Sequence, residues 1–522
     1  MSGRLEFLRS AYLSIDRRVL GVFRITYGLV LLFELIRRGI HLELLYSNDG
    51  ILSNHFLLFR PRVVPQFSLF TAFSTPEEVR FAFILTGVVF LAFTLGLYTR
   101  LAQLLSLVLF ASLNQRQLLH EDGGVSVLIL SNVWTLFMPL GDRYSLDAVR
   151  RDALRATVKE RVIQRRAARQ PFFSLAVLAV LLNIATIYAL NAAHKNGSTW
   201  KHGEAVHYVL WQTRCSTPLA DFIAHHDPRW FSPFTSYGTI VLEGLMPFLV
   251  LVPFRRDRLR TAAFVLAVLF HLGIASIMTL GPFSYAMIAL LTLVIPGSTL
   301  EAVGRRIPRR YFWAAARQRA RACRFVSRLR KEPRPIPALT PAREALARAR
   351  FHAREVCVGL VMIASIIQVT RDNRFFAKGY RLTQPAPFET LIRYTRMLQG
   401  WQMFAPEAPR DEGLVVIDAI TADGRHIDPF TGKEPDFESV LRGPLALPVP
   451  VSDYLYAMHS ENEEVYRGEL EKYLQRWHEI KHRPPGDRIV SFDAWFVKHD
   501  TPVPGSTACT NYQKQLVFSG RF

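Results

Sequence analysis

Residues 173–203 read FSLAVLAVLLNIATIYALNAAHKNGSTWKHG, an apolar run followed by a polar, basic segment. The apolar part carries no charged side chain and approaches the ~20 residues that a helix needs to cross a bilayer. Lys195 therefore falls where hydrocarbon is expected to end and water to begin. Its side chain is either a cation that snorkels from a helix end or a group with a chemical role, and spacing alone leaves both interpretations open.

The composition is typical of a membrane protein with basic loops. Half of the 522 residues are hydrophobic, yet the formal net charge is +21. Lys and Arg cluster between the apolar runs instead of spreading over a polar domain, so no nucleic-acid partner is expected. The four cysteines and the histidines of the predicted outer loops show no zinc-ligand spacing, and no metal is expected.

About nine segments have spanning or near-spanning length. They are 19–37, 79–97, 101–115, 124–141, 172–193, 236–254, 261–279, 282–298 and 355–370. We predict a mainly α fold, a polytopic helical membrane bundle of about eight to nine transmembrane helices with a small α+β extramembrane C-terminal domain. The predicted domains are a transmembrane bundle (1–302), a basic cytoplasmic linker (303–354), a last transmembrane helix (355–370) and an extracytoplasmic domain (371–522).

The distribution of basic residues predicts the orientation. The N-terminus, residues 143–169, RRDRLR at 255–260 and residues 305–354 are rich in Arg and Lys, and the positive-inside rule places them in the cytoplasm. Nine crossings then put the loops 38–78, 116–123 and 194–235, and everything after residue 370, outside. The basic stretches are expected to be topology signals in contact with anionic lipid rather than sites for a specific partner.

The last ~150 residues have a different character. GLVVIDAITADGRHIDPF (413–430) predicts a hairpin around Ala-Asp-Gly, and DRIVSFDAWFVKHD (487–500) alternates like a strand. NEEVYRGELEKYLQRWHEIKHR (462–483) predicts a helix. Cys215 and Cys509 both fall outside in the predicted topology, so a disulfide between them stays open.

Polar side chains within the predicted spans are candidate functional groups because a bilayer disfavours them. Tyr188, Asn191 and Lys195 lie at i, i+3 and i+7 of the fifth span, on one helix face.

Three more ionisable residues fall in other spans: Arg24, Glu243 and His271. Structural interpretations stay open for each of them. His271 could bond a neighbouring carbonyl, and Arg24 and Glu243 could pair with other helices.

Five blocks in order resemble the HTTM (horizontally transferred transmembrane) family, which is related to the vitamin K-dependent γ-carboxylases. The blocks are FRITYGLVLLFELI with YSNDGILS, GLYTRLAQLLSLVLFASLNQRQLLHEDGG with WTLFMPLGDRYSLD, HKNGSTWKHGEAVHYVL, FHLGIASIMTLGPFSYAMIALL, and GWQMFAPEAPRDEGLVVIDAITADGRHID. The resemblance covers most of the chain up to about residue 430. It implies a helical membrane bundle.

The resemblance also implies a chemistry. In the carboxylases a lysine deprotonates vitamin K hydroquinone, oxygen adds and an epoxide forms. The strong base produced in this way removes a γ-proton from a glutamate side chain, and carbon dioxide adds. Lys195 matches that lysine by its spacing to Trp200 and Gly203, and His271 matches the family histidine.

The resemblance therefore implies that Lys195 and His271 are catalytic. The residues expected to bind the cofactor, vitamin K hydroquinone or menaquinol, are Tyr188, Asn191, Trp200, Arg24 and Glu243. Membrane lipids, a lipophilic quinol and a peptide or protein substrate are the expected partners. His194 stands where the carboxylases have a second lysine, and the outer domain is smaller than theirs, so we expect quinol oxygenation with or without glutamate carboxylation.

Two other functions stay open. One is a non-catalytic membrane protein that binds a lipid, a quinone or a protein partner through the same bundle. The other is a transporter, for which the sequence shows no inverted repeat and no paired broken helices.

Overall fold

The protein is described by a computed structural model. The structure describes residues 2–59, 67–117, 121–153, 170–226, 228–308 and 340–522 except 446 and 461–465, together with six isolated positions between 310 and 324. This part of the chain forms a helical bundle and a C-terminal domain built on a four-stranded sheet.

The helices of the bundle and of its loops follow the chain from the N-terminus to residue 372. They are α1 (Ser2–Tyr12), α2 (Arg17–Gly39), α3 (Leu42–Tyr46), α4 (Asn54–Phe59), α5 (Pro76–Leu95), α6 (Thr99–Arg116), α7 (Gly123–Thr135), α8 (Leu146–Ala153), α9 (Leu175–His194), α10 (Ser198–Lys201), α11 (Ala205–Leu210), α12 (Pro218–His226), α13 (Phe231–Leu251), α14 (Arg256–Ile277), α15 (Phe283–Leu291), α16 (Gly297–Arg306) and α17 (Pro341–Asp372). Short 3₁₀ turns lie at Leu69–Ala72 and Thr292–Val294.

Each of the nine predicted segments contains a described helix, but fewer helices qualify as full spans. In the described part, α2, α5, α9, α13, α14 and α17 are long and apolar enough to cross a membrane. A seventh span results if Phe283–Val294 and Gly297–Arg306, which meet at a 100° bend, are counted together. Helix α7 has 13 residues, or about 20 Å at 1.5 Å per residue, which is short of a ~30 Å hydrocarbon core. These helices make the chain an integral membrane protein.

Helix α9, which leads to Lys195, begins at a well-defined cap. The Ser174 hydroxyl accepts from the Ala176 N–H at 3.1 Å, and the Glu355 carboxylate of α17 accepts from the Leu175 N–H at 2.6 Å. The short strands β1 (Ser14–Ile15) and β2 (Phe172–Phe173) pair just before α2 and α9. The start of α9 is therefore fixed to both α2 and α17.

The C-terminal domain confirms the predicted hairpin and strand. Strands β3 (Asp411–Thr421), β4 (His426–Ile427), β5 (Ile489–Asp500) and β6 (Thr510–Arg521) form an antiparallel sheet in the order β4-β3-β5-β6. The sequence prediction missed β6, whose mostly exposed side chains lack the half-buried alternation that identifies a strand.

The remaining helices of this domain are short. They are α18 (Ala386–Thr395), α19 (Val449–Ala457), α20 (Arg467–Gln475) and α21 (Trp477–Ile480), with 3₁₀ turns at Lys378–Tyr380, Ser439–Leu441 and Pro485–Asp487. The single helix predicted over 462–483 is thus two helices, and its residues 462–465 lie outside the described part.

The structure adds two points about this half of the chain. The helix that contains the predicted last span, 355–370, starts at Pro341, because Thr340 caps it and the basic stretch before the apolar run is itself helical. Cys215 and Cys509 are both free thiols, so the disulfide that the sequence left open does not form. Cys215 instead lies against the Gln212 carbonyl.

The domain packs on the end of the bundle where α9 finishes. The Ser53 hydroxyl, in the loop after α3, donates to Glu469 at 2.6 Å, and the Gln115 amide of α6 donates to the Tyr394 carbonyl at 2.9 Å. The described residues of the loop over 38–78 and those after 370 therefore lie at the same end of the molecule.

Candidate functional site

Lys195 directly follows α9, and its side chain turns inward. Its ammonium donates to both carboxylate oxygens of Glu243 on α13, at 2.8 and 3.0 Å, and to the Asn191 carbonyl at 3.4 Å. The side chains of Lys195 and Glu243 are only 4% and 8% exposed. The snorkelling interpretation of Lys195 is therefore wrong, because its charge is buried in an ion pair.

Trp200 packs against the Lys195 ammonium. The Lys195 ammonium lies 5.1 Å from the centroid of the indole ring, close enough for a cation–π contact. The indole N–H donates to the Phe404 carbonyl at 2.7 Å, which fixes the ring plane. The spacing between Lys195 and Trp200 thus corresponds to a direct contact in space.

Tyr188 and His271 form a second buried polar pair. The Tyr188 hydroxyl lies 2.7 Å from His271 Nε2, and both residues are almost fully buried. His271 Nδ1 has no hydrogen-bond partner among the described residues. A buried polar atom without a partner costs about 1–3 kcal/mol, so a ligand that bonds to Nδ1 would relieve that cost.

These two pairs line one cavity of about 610 Å³, here called the apolar cavity. It lies between α9, α13 and α14, and much of its wall is apolar, including Leu242, Phe270 and Met287. Six of the seven predicted site residues line it: Tyr188, Asn191, Lys195, Trp200, Glu243 and His271. Its volume falls in the range of small-molecule sites, and convergent polar groups in an apolar wall are typical of such sites.

Arg24 is the predicted site residue that the structure does not bring to the apolar cavity. Its guanidinium donates to the carbonyls of Thr94, Leu140, Arg143 and Tyr144. Arg24 therefore connects α2 to the end of α5 and to the segment between α7 and α8. The prediction that Arg24 binds a cofactor at this cavity is corrected, since its contacts are structural.

His194, the neighbour of Lys195, also has a structural role. Its Nε2 accepts from the Phe375 N–H at 3.1 Å, so Nδ1 carries the hydrogen and donates to the Leu190 carbonyl at 2.6 Å. The ring thus fastens the end of α9 to the segment after α17. The position where the carboxylases have a second lysine is used here to hold the backbone.

Residues 400–410 provide contacts that the sequence analysis did not assign. Met403 and Phe404 line the apolar cavity, and the Met403 N–H donates to Asn191 Oδ1 at 3.2 Å. They belong to the quoted block GWQMFAPEAPR, but irregular backbone carries no periodicity that would indicate which side chains face a site.

Glu407 caps the short helix that follows Lys195. Its carboxylate accepts from the N–H groups of Ser198 and Thr199 and from the Thr199 hydroxyl. Gly197, directly before them, leaves no room for a side chain, because a Cβ there would lie 2.5 Å from the backbone carbonyl oxygen of Pro406. The C-terminal segment therefore fixes the turn between Lys195 and Trp200.

Glu407→Ala is expected to destabilise the protein by about 1 kcal/mol at neutral pH, as the loss of a helix-capping acceptor does. Burial acts to raise the pKa of Glu407, but the hydrogen bonds from Thr199 and Ser198 outweigh it and hold the pKa below its ordinary 4.5. The stabilisation is therefore complete above about pH 4.5 and is lost as the pH falls through the lowered pKa. Thermal unfolding of both proteins across pH should show the gap closing in acid, and a gap that persists unchanged would refute this.

The sequence-based expectation of no metal and no His-Glu-x-x-His motif overlooked one such pattern in the C-terminal domain. Residues 478–482 read HEIKH, the His-Glu-x-x-His spacing that needs both histidines on one continuous helix. Helix α21 ends at Ile480, and His482 has a φ of +50°, so the two histidines do not share that helix. Within the described ranges, no group of three or more His, Cys, Asp or Glu residues could hold a metal ion.

Comparison with known proteins gives one family. The family model described as HTTM domain matches residues 12–298, which contain α2 to α15 and all six predicted site residues that line the apolar cavity. Comparison with curated proteins and with solved structures gave no match.

Proposed function

This chain belongs to the HTTM domain family, and from that premise we propose that it oxygenates a reduced, vitamin K-type quinone with Lys195 as the base, with or without carboxylation of a peptide glutamate. The observation that carries the proposal is the buried Lys195–Glu243 pair in the wall of the apolar cavity. Charged groups at membrane depth are costly, and those that are kept are commonly functional.

The pair gives the lysine a route to its neutral form. A lysine acts as a base only as an amine, and both Glu243 oxygens lie within hydrogen-bond distance of Lys195 Nζ. Transfer of one ammonium proton to Glu243 would leave a neutral amine and a neutral acid, a pair that carries no charge in the apolar wall. The amine can then accept the proton of a hydroxyl group.

The rest of the site fits a reduced quinone, a flat apolar ring system with a hydroxyl group at each end. The apolar wall suits the rings, and His271 Nδ1 offers a hydrogen-bond partner for one oxygen. When bound, the quinol supplies the reducing equivalents for reaction with oxygen. Tyr188 holds His271 in place, and Asn191, fixed by the Met403 N–H, holds the wall near Lys195.

The cavity can be reached from the lipid side of the bundle. Gly238 on α13 and Gly273 on α14 line it, both are exposed, and a Cβ at either position meets nothing within 4 Å. The neighbouring Phe234 and Leu269 are exposed apolar side chains. A quinol with a long apolar tail could therefore keep the tail between α13 and α14.

Gly238→Leu is expected to weaken binding of a long-tailed quinol about tenfold, or about 1.4 kcal/mol, because the leucine side chain would fill the open space that the tail is proposed to occupy. Gly244→Leu is the matched control, since Gly244 lies on the same helix, also has open space at its Cβ, and does not line the cavity. Dissociation constants for the two variants in nanodiscs measure the effect. Equal affinity in the two variants would argue against this entry route.

The proposed activity is tested with purified protein in nanodiscs, a reduced naphthoquinone, oxygen, labelled carbon dioxide and a glutamate-containing peptide. Epoxide formation would support the oxygenation step, and label in the peptide would support carboxylation. Absence of both products from the wild-type protein, with quinol shown to bind, would overturn the proposal.

A non-catalytic binding function is the second candidate, and one observation favours it. Both oxygens of Glu243 are used by Lys195, so the pair is complete without any ligand. Recovery of a quinone or lipid that binds in the apolar cavity and never turns over would support this function over the first.

A further inference from the structure

A second cavity lies at the other end of the bundle from Lys195. It has a volume of about 530 Å³ and lies between the turn joining α5 to α6, the segment after α7, and α8. Its wall includes Tyr98, Arg100, Leu101, Asp142, Asp147 and Arg150. We call it the basic cavity.

The acidic residues of the basic cavity already have hydrogen-bond or ion-pair partners within the protein. Asp147 accepts from the N–H groups of Tyr98 and Thr99, at 3.0 and 2.8 Å, and from the Thr99 hydroxyl at 2.7 Å. Asp142 is paired with both Arg17 and Arg151.

Two cations remain available to a ligand. Arg100 and Arg150 form no ion pair with a carboxylate in the described part of the chain, whereas Asp142 is held by Arg17 and Arg151. The Arg150 guanidinium lies 4.8 Å from the centroid of the Tyr98 ring, which holds it at the cavity wall. The cavity thus carries an excess of positive charge and fits an anion such as a phosphodiester.

An apolar surface continues from the basic cavity along α6. Tyr98 and Leu101 are 59% and 58% exposed, and the same helix goes on with exposed Leu104, Leu105 and Val108. Since α6 packs in the bundle beside the spanning helix α5, this apolar strip runs from the charged end toward the bilayer interior. A positively charged pocket next to an apolar strip is complementary to a lipid that has an anionic headgroup and apolar acyl chains.

We propose that the basic cavity binds the headgroup of an anionic phospholipid, with Arg100 and Arg150 at the phosphodiester and the acyl chains along α6. Basic pockets at the cytoplasmic ends of membrane helices recognise such headgroups. This is a defined site, and it goes beyond general contact of basic loops with lipid. It does not depend on the chemistry at Lys195.

The test compares lipid retention in two double variants. Arg100→Gln/Arg150→Gln removes the two cations of the cavity. Arg305→Gln/Arg306→Gln removes two exposed cations from α16, whose first turn lies beside Asp16 at the same end of the bundle. Native mass spectrometry of detergent-solubilised protein, incubated with phosphatidylglycerol or phosphatidylcholine, counts the retained lipid.

The wild type and the α16 variant are expected to retain phosphatidylglycerol in preference to phosphatidylcholine, and the cavity variant to retain about tenfold less of it. Equal retention by the two variants, or equal retention of the two lipids by the wild type, overturns the proposal. Thermal unfolding with glycerophosphate or inorganic phosphate distinguishes a free anion from a lipid. Stabilisation by either one equal to that by phosphatidylglycerol means a phosphate site without a lipid and also overturns it. If the cavity variant does not fold, Arg100→Gln alone is compared with Arg305→Gln alone in the same way.

Discussion

Lys195→Met is expected to destabilise the bundle by about 3–5 kcal/mol, because it leaves the Glu243 carboxylate buried without its partner. Methionine keeps the length and the unbranched shape of lysine, so the packing against Trp200 changes little while the charge is removed. Unfolding of the purified protein in mixed micelles, followed by tryptophan fluorescence, measures the loss.

The double variant Lys195→Met/Glu243→Met is the control for this interpretation. Replacing both members of a buried ion pair with apolar residues is commonly neutral or stabilising, so the double variant should recover most of the lost stability. Lys201→Met is a second control, since Lys201 is an exposed lysine in the same segment and its loss should have little effect. A single variant as stable as the wild type would contradict the buried pair.

The second expected effect is on catalysis. The double variant Lys195→Met/Glu243→Met should fold and yet oxygenate the quinol about 10²–10⁴-fold more slowly than the wild type, the contribution that a positioned base makes. Lys201→Met should keep the wild-type rate. Epoxide formation measured under single-turnover conditions in nanodiscs gives both rates.

Because the double variant separates folding from chemistry, its outcome is informative in either direction. A folded double variant with a rate near that of the wild type would remove Lys195 from the reaction. A folded double variant that binds quinol normally and produces no epoxide would support its role as base.

Much of the fold was predictable because bilayer burial imposes long apolar segments. Every predicted segment contains a helix, and the β3–β4 hairpin and β5 follow from turn residues and alternation. The number of spans was not predictable from hydropathy alone. Helix α7 and the bent pair after residue 283 are apolar, but α7 is too short and the pair too sharply bent to count as straight spans.

The candidate site was predictable where its residues lie on one helix. Tyr188, Asn191 and Lys195 follow from helical spacing, and the structure places all three on the same cavity wall. The partnership of Lys195 with Glu243, 48 residues later, depends on how α9 packs against α13, which one sequence does not encode in any local pattern.

The contacts of Glu407 were hidden for the same reason. It caps the turn after Lys195 from more than 200 residues away, on irregular backbone. Arg24 shows the opposite case, since an ionisable residue in a span suggested a ligand site and proved to bind backbone carbonyls. An ionisable residue within a span is therefore expected to have a structural or functional role, and only the packing of the helices shows which groups it contacts.

An experimental structure with a bound, non-reactive quinol analogue would show whether the apolar cavity holds a reduced quinone against Lys195. We expect the ring inside the apolar cavity, with one oxygen about 2.6–3.2 Å from Lys195 Nζ and another hydrogen-bonded to His271 Nδ1. An analogue bound elsewhere on the protein, or one in the cavity with neither oxygen near Lys195, would contradict it.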